Sequence, residues 1–126
     1  MKTTAEQRAA ATGVCQTNLI DEGKVAAVKA VLPAEDRWHA SAEFFAALGD
    51  LTRLRLLFAL SHAELCVCDL ASLVDRSMPT TSRQLQHLRR VGLVKFRSEG
   101  KLVYYSLADR SVESLVREAL ARSESK

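Results

Sequence analysis

A mainly α-helical domain with one small β-hairpin is predicted by three observations. Apolar residues recur at the i, i+3, i+4 spacing of amphipathic helices in several short runs between Asp21 and Leu120. That period gives way to alternation over Val94 to Leu107, around Glu99 and Gly100. Helix-starting and helix-stopping residues, among them Asp50, Ser77 and Gly92, separate the runs. A length of 126 residues suits one domain with a modest core, and such a core often gains stability by pairing with a second copy.

Met1 to about Asn18 is polar and aperiodic, so residues 1–20 are expected to be a mobile arm carrying Cys15. Residues 21–122 are expected to form the folded domain and 123–126 a tail. Val25, Val28, Val31 and Leu32 predict a short helix from Asp21, stopped by Pro33. A longer helix follows from Glu35 to Leu48, with Trp38, Ala42 and Phe45 along one face. Asp50 can cap the next, whose apolar stripe is Leu54, Leu57 and Phe58. Leu70, Leu73 and Val74 mark a third, shorter stretch. Ser77 then reads as an N-cap with Pro79 in the first turn, where its missing N–H costs little. This helix should run to Arg90 or Val91 and end at Gly92, with Leu85 and Leu88 facing inward. Val94 and Phe96, then Val103, Tyr105 and Leu107, predict the hairpin. Val112, Leu115, Val116, Ala119 and Leu120 form a last stripe with little left to pack on, so it is expected, with the Trp38–Phe45 helix, to be a dimer surface.

Several functional classes drop out. No apolar run approaches the ~18 residues that a membrane span needs, and no basic-then-apolar leader opens the chain. Three cysteines without such a leader fit a reducing cytoplasm and free or metal-bound thiols. No Ser/His/Asp set, paired acids or phosphate-cradling Gly loop is present, so neither an enzyme nor an organic substrate is expected.

Charge is unevenly distributed. Residues 76–101 carry seven basic side chains against Glu99 alone, in a chain of net charge +3. Two short helices, a brief turn and a basic hairpin make a winged helix-turn-helix, whose second helix enters the major groove of DNA. Thr80, Thr81, Ser82, Arg83, Gln84 and His87 are the expected outward groups of that helix. Gln suits adenine, Arg suits guanine, and hydroxyls suit phosphate or either base. Arg89, Arg90, Arg97 and Lys101 are expected to hold phosphate, which positions the protein without reading sequence.

Cys66-Val67-Cys68 lies immediately before the first of these two helices. In mid-helix its sulfurs would diverge by about 200°, but at a helix start they can converge on one ion. Thiolates select soft ions over Mg(II) and Ca(II), and a helix N-terminus favours the thiolate. Cys15 could add a third sulfur if the arm folded back, most easily from the other subunit. A redox role for the pair is disfavoured because a C-x-C disulfide is strained. His39, His62 and His87 are expected to be structural or DNA-side groups.

The segment Glu64-Leu65-Cys66-Val67-Cys68-Asp69-Leu70-Ala71 resembles the metal box of the ArsR/SmtB family of metal-responsive repressors. Phe44 to Leu57, Leu88 to Val94 and Glu99-Gly100-Lys101-Leu102-Val103-Tyr104-Tyr105-Ser106-Leu107 extend the resemblance, which covers roughly Cys15 to Leu120. It implies a homodimeric winged-helix repressor that binds operator DNA without metal and releases it when metal binds. Within the family the chain is most similar to cadmium/lead sensors of the CadC type, where two arm cysteines join the C-x-C pair of the opposite subunit. Here the second arm position is Leu19, which leaves Cys15, Cys66 and Cys68, with Asp69 as a neighbouring oxygen donor. Arsenic sensors of the family carry a further cysteine where this chain has Ala71. The C-terminal zinc site of other members is matched at Asp109 but not at Ser111, Arg122 or Ser125, so the last helix is expected to serve the dimer alone.

Three thiolates suit Pb(II), which accepts a sulfur pyramid, and Cd(II), which can add water or Asp69. Zn(II) prefers a closed tetrahedron of four ligands and ranks next, with arsenite last. The alternative is an arsenite-responsive or thiol-redox-responsive repressor of the same fold.

Overall fold

The structure, a computed structural model, describes residues 3–124. The chain divides into two compact units, Met1–Ala34 and Glu35–Lys126. The division falls after Ala34, beyond the boundary near residue 20 read from the sequence, so the Val25–Leu32 segment groups with the arm.

The first unit holds α1 (Ala5–Thr12) and α2 (Glu22–Lys29). Helix α1 corrects the expectation of an aperiodic arm. Thr4 and Gln7 form a capping box, Gly13 closes the helix at φ 70°, and no α1 residue is buried. It rests on caps and alanine propensity, neither of which leaves an apolar period. Asp21 caps α2 through the Lys24 amide, and Val25, Val28, Val31 and Leu32 are all exposed.

The second unit begins with α3 (Glu35–Leu48), α4 (Leu51–Leu60) and the two-residue strand β1 (Leu65–Cys66). Helices α5 (Val67–Val74) and α6 (Met78–Arg90) follow, then strands β2 (Val94–Glu99) and β3 (Leu102–Leu107), and finally α7 (Arg110–Glu124). The strands form one antiparallel sheet in the order β1-β3-β2. Strand β1 is too short to show a period, and the sequence reading missed it. Its pairing matters, because Cys66 lies opposite Tyr104, which lies opposite Arg97.

Helices α5 and α6 are joined through Asp75, Arg76 and Ser77. Asp75 takes the left-handed conformation at φ 54°, which Asp tolerates better than most residues. The Arg76 amide then reaches back to the Ala71 carbonyl, giving the tight turn that the motif requires. Gly92, at φ 81°, redirects the chain from α6 into β2. The core gathers Leu56 and Leu57 of α4, Leu70 and Val74 of α5, Leu85 and Leu88 of α6, Tyr105 of β3, and Val112 and Val116 of α7. The arrangement is a winged helix-turn-helix with β2 and β3 as the wing.

Two stripe assignments change. Leu73 is 63% exposed although the α5 pattern placed it inside. Val112 and Val116 are buried within this one chain instead of awaiting a partner, while Leu115 is half-buried and the later part of the stripe, Ala119 and Leu120, stays open. Helix α7 includes Ser123 and Glu124, and the rest of the expected tail lies outside the described residues. An apolar groove of about 720 Å³ opens between α4, α5 and α7, lined by Leu51, Phe58, Leu73 and Leu120 among others. Among the described residues no helix is long and apolar enough to cross a membrane.

Candidate thiolate cleft and nucleic-acid face

Cys66 is the N-cap of α5, with extended backbone at φ −78° and ψ 164°, and its side chain makes no capping bond to the helix. Cys68 therefore falls in the first turn of α5. Cys66 is buried and Cys68 exposed, and both are free thiols. Both line a cleft of about 300 Å³, together with Met78 and Ser82 of α6 and Lys101 at the wing tip. Cys15 is also free and exposed, in the first unit.

The helix start does not leave the Cys66 thiol acidic. The nearby Asp69 amide pulls it down without closing a capping bond, but the Asp69 carboxyl, burial and the neighbouring negative charges together push it above its ordinary value. Among the described residues no three His, Cys, Asp or Glu side chains gather into one metal-holding group. Thiols are the donor type that suits a soft ion, and two of them alone do not fill a coordination shell. His39 lies 3.9 Å from Glu35, and the His62 ring stands 4.8 Å from that of Phe58.

Helix α6 presents a different face from the one read in the sequence. Thr81 is fully buried and its hydroxyl has no hydrogen-bond partner, so it belongs to the core and cannot face DNA. Gln84 is half-buried and accepts a bond from Arg53 at 3.1 Å, while Arg53 also donates to the Ala47 carbonyl at 2.9 Å. That chain ties α6 to the end of α3 through α4. Ser82 is half-buried beside the thiols, and His87 lies half-buried beside Glu43 and Arg90.

Arg83, Gln86, Arg89 and Arg90 remain exposed on α6, with Thr80 half-exposed. Gln86 was missed. Its spacing from Arg83 and Arg90, three back and four on, was the available signal. The first turn is held firmly: Ser77 caps the Thr80 amide at 3.2 Å and donates to the Thr80 hydroxyl at 2.9 Å. Arg83 also donates to that hydroxyl at 3.3 Å.

In the wing, the Arg89 guanidinium lies 4.4 Å above the Phe96 ring, fixing α6 to β2. Arg97 is engaged on every side. It donates to Glu64 at 2.7 and 3.0 Å, to Glu99 at 2.7 Å, and stacks 4.7 Å over Tyr104. Those carboxylates raise the Arg97 pKa, and the Arg97 guanidinium in turn holds Glu64 below the usual carboxylate range. Lys95 and Lys101 have no ion pair among the described residues and are the exposed cations of the wing.

Asp109 holds the start of α7. Its carboxylate accepts from the Ser111 hydroxyl and from the Ser111 and Val112 amides at the start of α7, which lowers its pKa.

The pattern of the family described as "Bacterial regulatory protein, arsR family" matches residues 50–95, from the cap of α4 into β2. The chain is 46% identical over 105 residues to a transcriptional repressor SmtB homolog of Synechocystis sp., covering 83% of this chain and 80% of that protein. It is 42% identical to a cadmium resistance transcriptional regulatory protein CadC homolog of Staphylococcus aureus, covering 84% of this chain and 88% of that one. The fold is similar to a homodimeric winged helix-turn-helix DNA-binding domain of Mycobacterium bovis, with a TM-score of 0.67 at 27% identity over 75% of this chain and 90% of that one.

Proposed function

From the premise that the chain belongs to the ArsR family of bacterial regulatory proteins, DNA-binding regulators and not enzymes, we propose that it is a repressor released from DNA by a soft metal ion. The observation that carries the reading is the shared cleft: the C-x-C thiols at the start of α5 open onto the first turn of α6, the DNA-reading helix. Relatives named as cadmium resistance regulators support the choice of ion.

Cys66 and Cys68 would hold the ion, with Cys15 as a third thiolate and Asp69 as an oxygen donor. Cd(II) or Pb(II) suits this set better than Zn(II). A bound soft ion supplies a crosslink between elements that are otherwise free to shift. The protein's own residues do the rest. Arg83 and Gln86 face the major groove, and Thr80, Arg89, Arg90, Lys95 and Lys101 hold phosphate. Trp38, Phe45, Leu120 and the groove beside α7 offer the apolar surface for a homodimer, so that two α6 helices address two half-sites about one DNA turn apart. A shift of either α6 spoils that spacing.

The test is DNA affinity by fluorescence anisotropy, on a duplex that the metal-free protein selects from a random-sequence pool. Cd(II) is expected to weaken binding by roughly 5- to 150-fold or more, the usual range of allosteric coupling. Cys66→Ser should bind DNA as the parent does and ignore Cd(II). If Cys66→Ser lost DNA binding outright, the thiol would be structural and the reading wrong.

A further inference from the structure

The sulfur atoms of this chain are unevenly placed. It has three cysteines and two methionines, and among the described residues Cys66, Cys68 and Met78 line the same cleft beside α6. Met78 is the first residue of α6 and is 47% exposed. Burial therefore does not account for a large apolar side chain there, and the first turn of a DNA-reading helix is an unusual place to leave one.

Its backbone is fixed while its side chain is not. Ser77 caps the helix just before it, and Pro79 locks φ just after it. The unbranched methionine side chain can still turn its thioether within the cleft. A thioether is a soft, neutral donor that suits soft ions, whereas Zn(II) sites are built from Cys, His and carboxylates.

Resting on the thiolate site proposed above, we propose that the Met78 thioether is a further sulfur donor of the Cys66–Cys68 cleft and discriminates soft ions from Zn(II). It supplies the donor that the two thiols lack within their own unit. It also makes the ion a direct link from the start of α5 to the first turn of α6. Metal occupancy then acts on the DNA-reading helix without an intervening element.

The test uses the full chain labelled with methyl-13C methionine and titrated with Cd(II) and, separately, Zn(II). Met78→Leu, which keeps volume and apolarity, assigns the Met78 methyl resonance. One equivalent of Cd(II) should move that resonance as thiolate-to-metal absorption appears, and the movement should vanish in Cys66→Ser. Competition titrations should show Met78→Leu weakening Cd(II) by about tenfold, the lower end of what loss of one supporting group costs a metal site, with Zn(II) within about twofold of the parent. A still Met78 resonance alongside a full thiolate band overturns the proposal, as does an unchanged Cd(II)-to-Zn(II) ratio in Met78→Leu. Absence of the thiolate band from the parent protein would overturn the underlying site as well, which separates the two failures.

Discussion

Arg97 of the wing donates to Glu64 at 2.7, 3.0 and 3.2 Å, joining β2 to the residue two before Cys66. The same guanidinium covers Tyr104, whose backbone pairs with Cys66 on one side and Arg97 on the other. Arg97 thus braces the wing against the thiol-bearing strand. With two carboxylates already bound, it has little charge left to offer phosphate. Arg97→Ala is expected to leave the salt dependence of DNA binding nearly unchanged, whereas Arg90→Ala should lower its slope by about 1, as loss of one phosphate contact does. A fall of about 1 for Arg97→Ala would return it to the phosphate-binding set.

Thr81 carries a buried hydroxyl without a partner. An unsatisfied buried polar group costs about 1–3 kcal/mol, and replacing it by an apolar group of the same shape removes that cost. Thr81→Val should therefore raise stability by about 1 kcal/mol in urea unfolding and leave DNA binding intact. Loss of DNA affinity with unchanged stability would put the hydroxyl on the DNA face after all.

Gln84 and Gln86 should separate cleanly. Gln84 is committed to Arg53, so Gln84→Ala is expected to destabilise the fold by about 1 kcal/mol with base preference unchanged. Gln86 is exposed, so Gln86→Ala should leave stability alone and relax discrimination at one base pair by about 1–3 kcal/mol. Unfolding curves paired with binding to single-base variants of the selected duplex check both.

Acid should loosen the start of α7. The folded Asp109 carboxyl titrates below its unfolded value because Ser111 and the Val112 amide bond its ionised form. A depressed folded pKa stabilises the fold above the unfolded pKa, and that contribution is lost as pH falls through the folded one. Asp109→Asn should therefore flatten the decline in urea midpoint between neutral pH and about pH 3. An unchanged decline would mean that other carboxylates carry it.

Local signals were the legible part of this chain. Ser77, Pro79 and Gly92 mark α6 at both ends in sequence, and the structure places its caps there. Asp50 and Asp21 likewise announce α4 and α2. The start of α5 at the C-x-C pair was readable because the apolar stripe begins directly after it. What the period could not give was orientation fixed by distant partners. Thr81 and Gln84 look like surface residues until α4 packs beside them and Arg53 reaches across. Arg97 looks like a phosphate ligand until β1, two residues long, brings Glu64 to it. Met78 falls beside the thiols only because the turn through Asp75 folds α6 back against the start of α5.

The central claim is that filling the thiolate cleft releases DNA, and one titration addresses it most directly. Cd(II) is added to the protein bound to a fluorescent duplex, with anisotropy and thiolate-to-metal absorption followed in the same cuvette. The account predicts that release and absorption rise together and saturate at the same Cd(II) equivalence, and that both are lost in Cys66→Ser. Release that proceeds without the absorption, or that persists in Cys66→Ser, would contradict it.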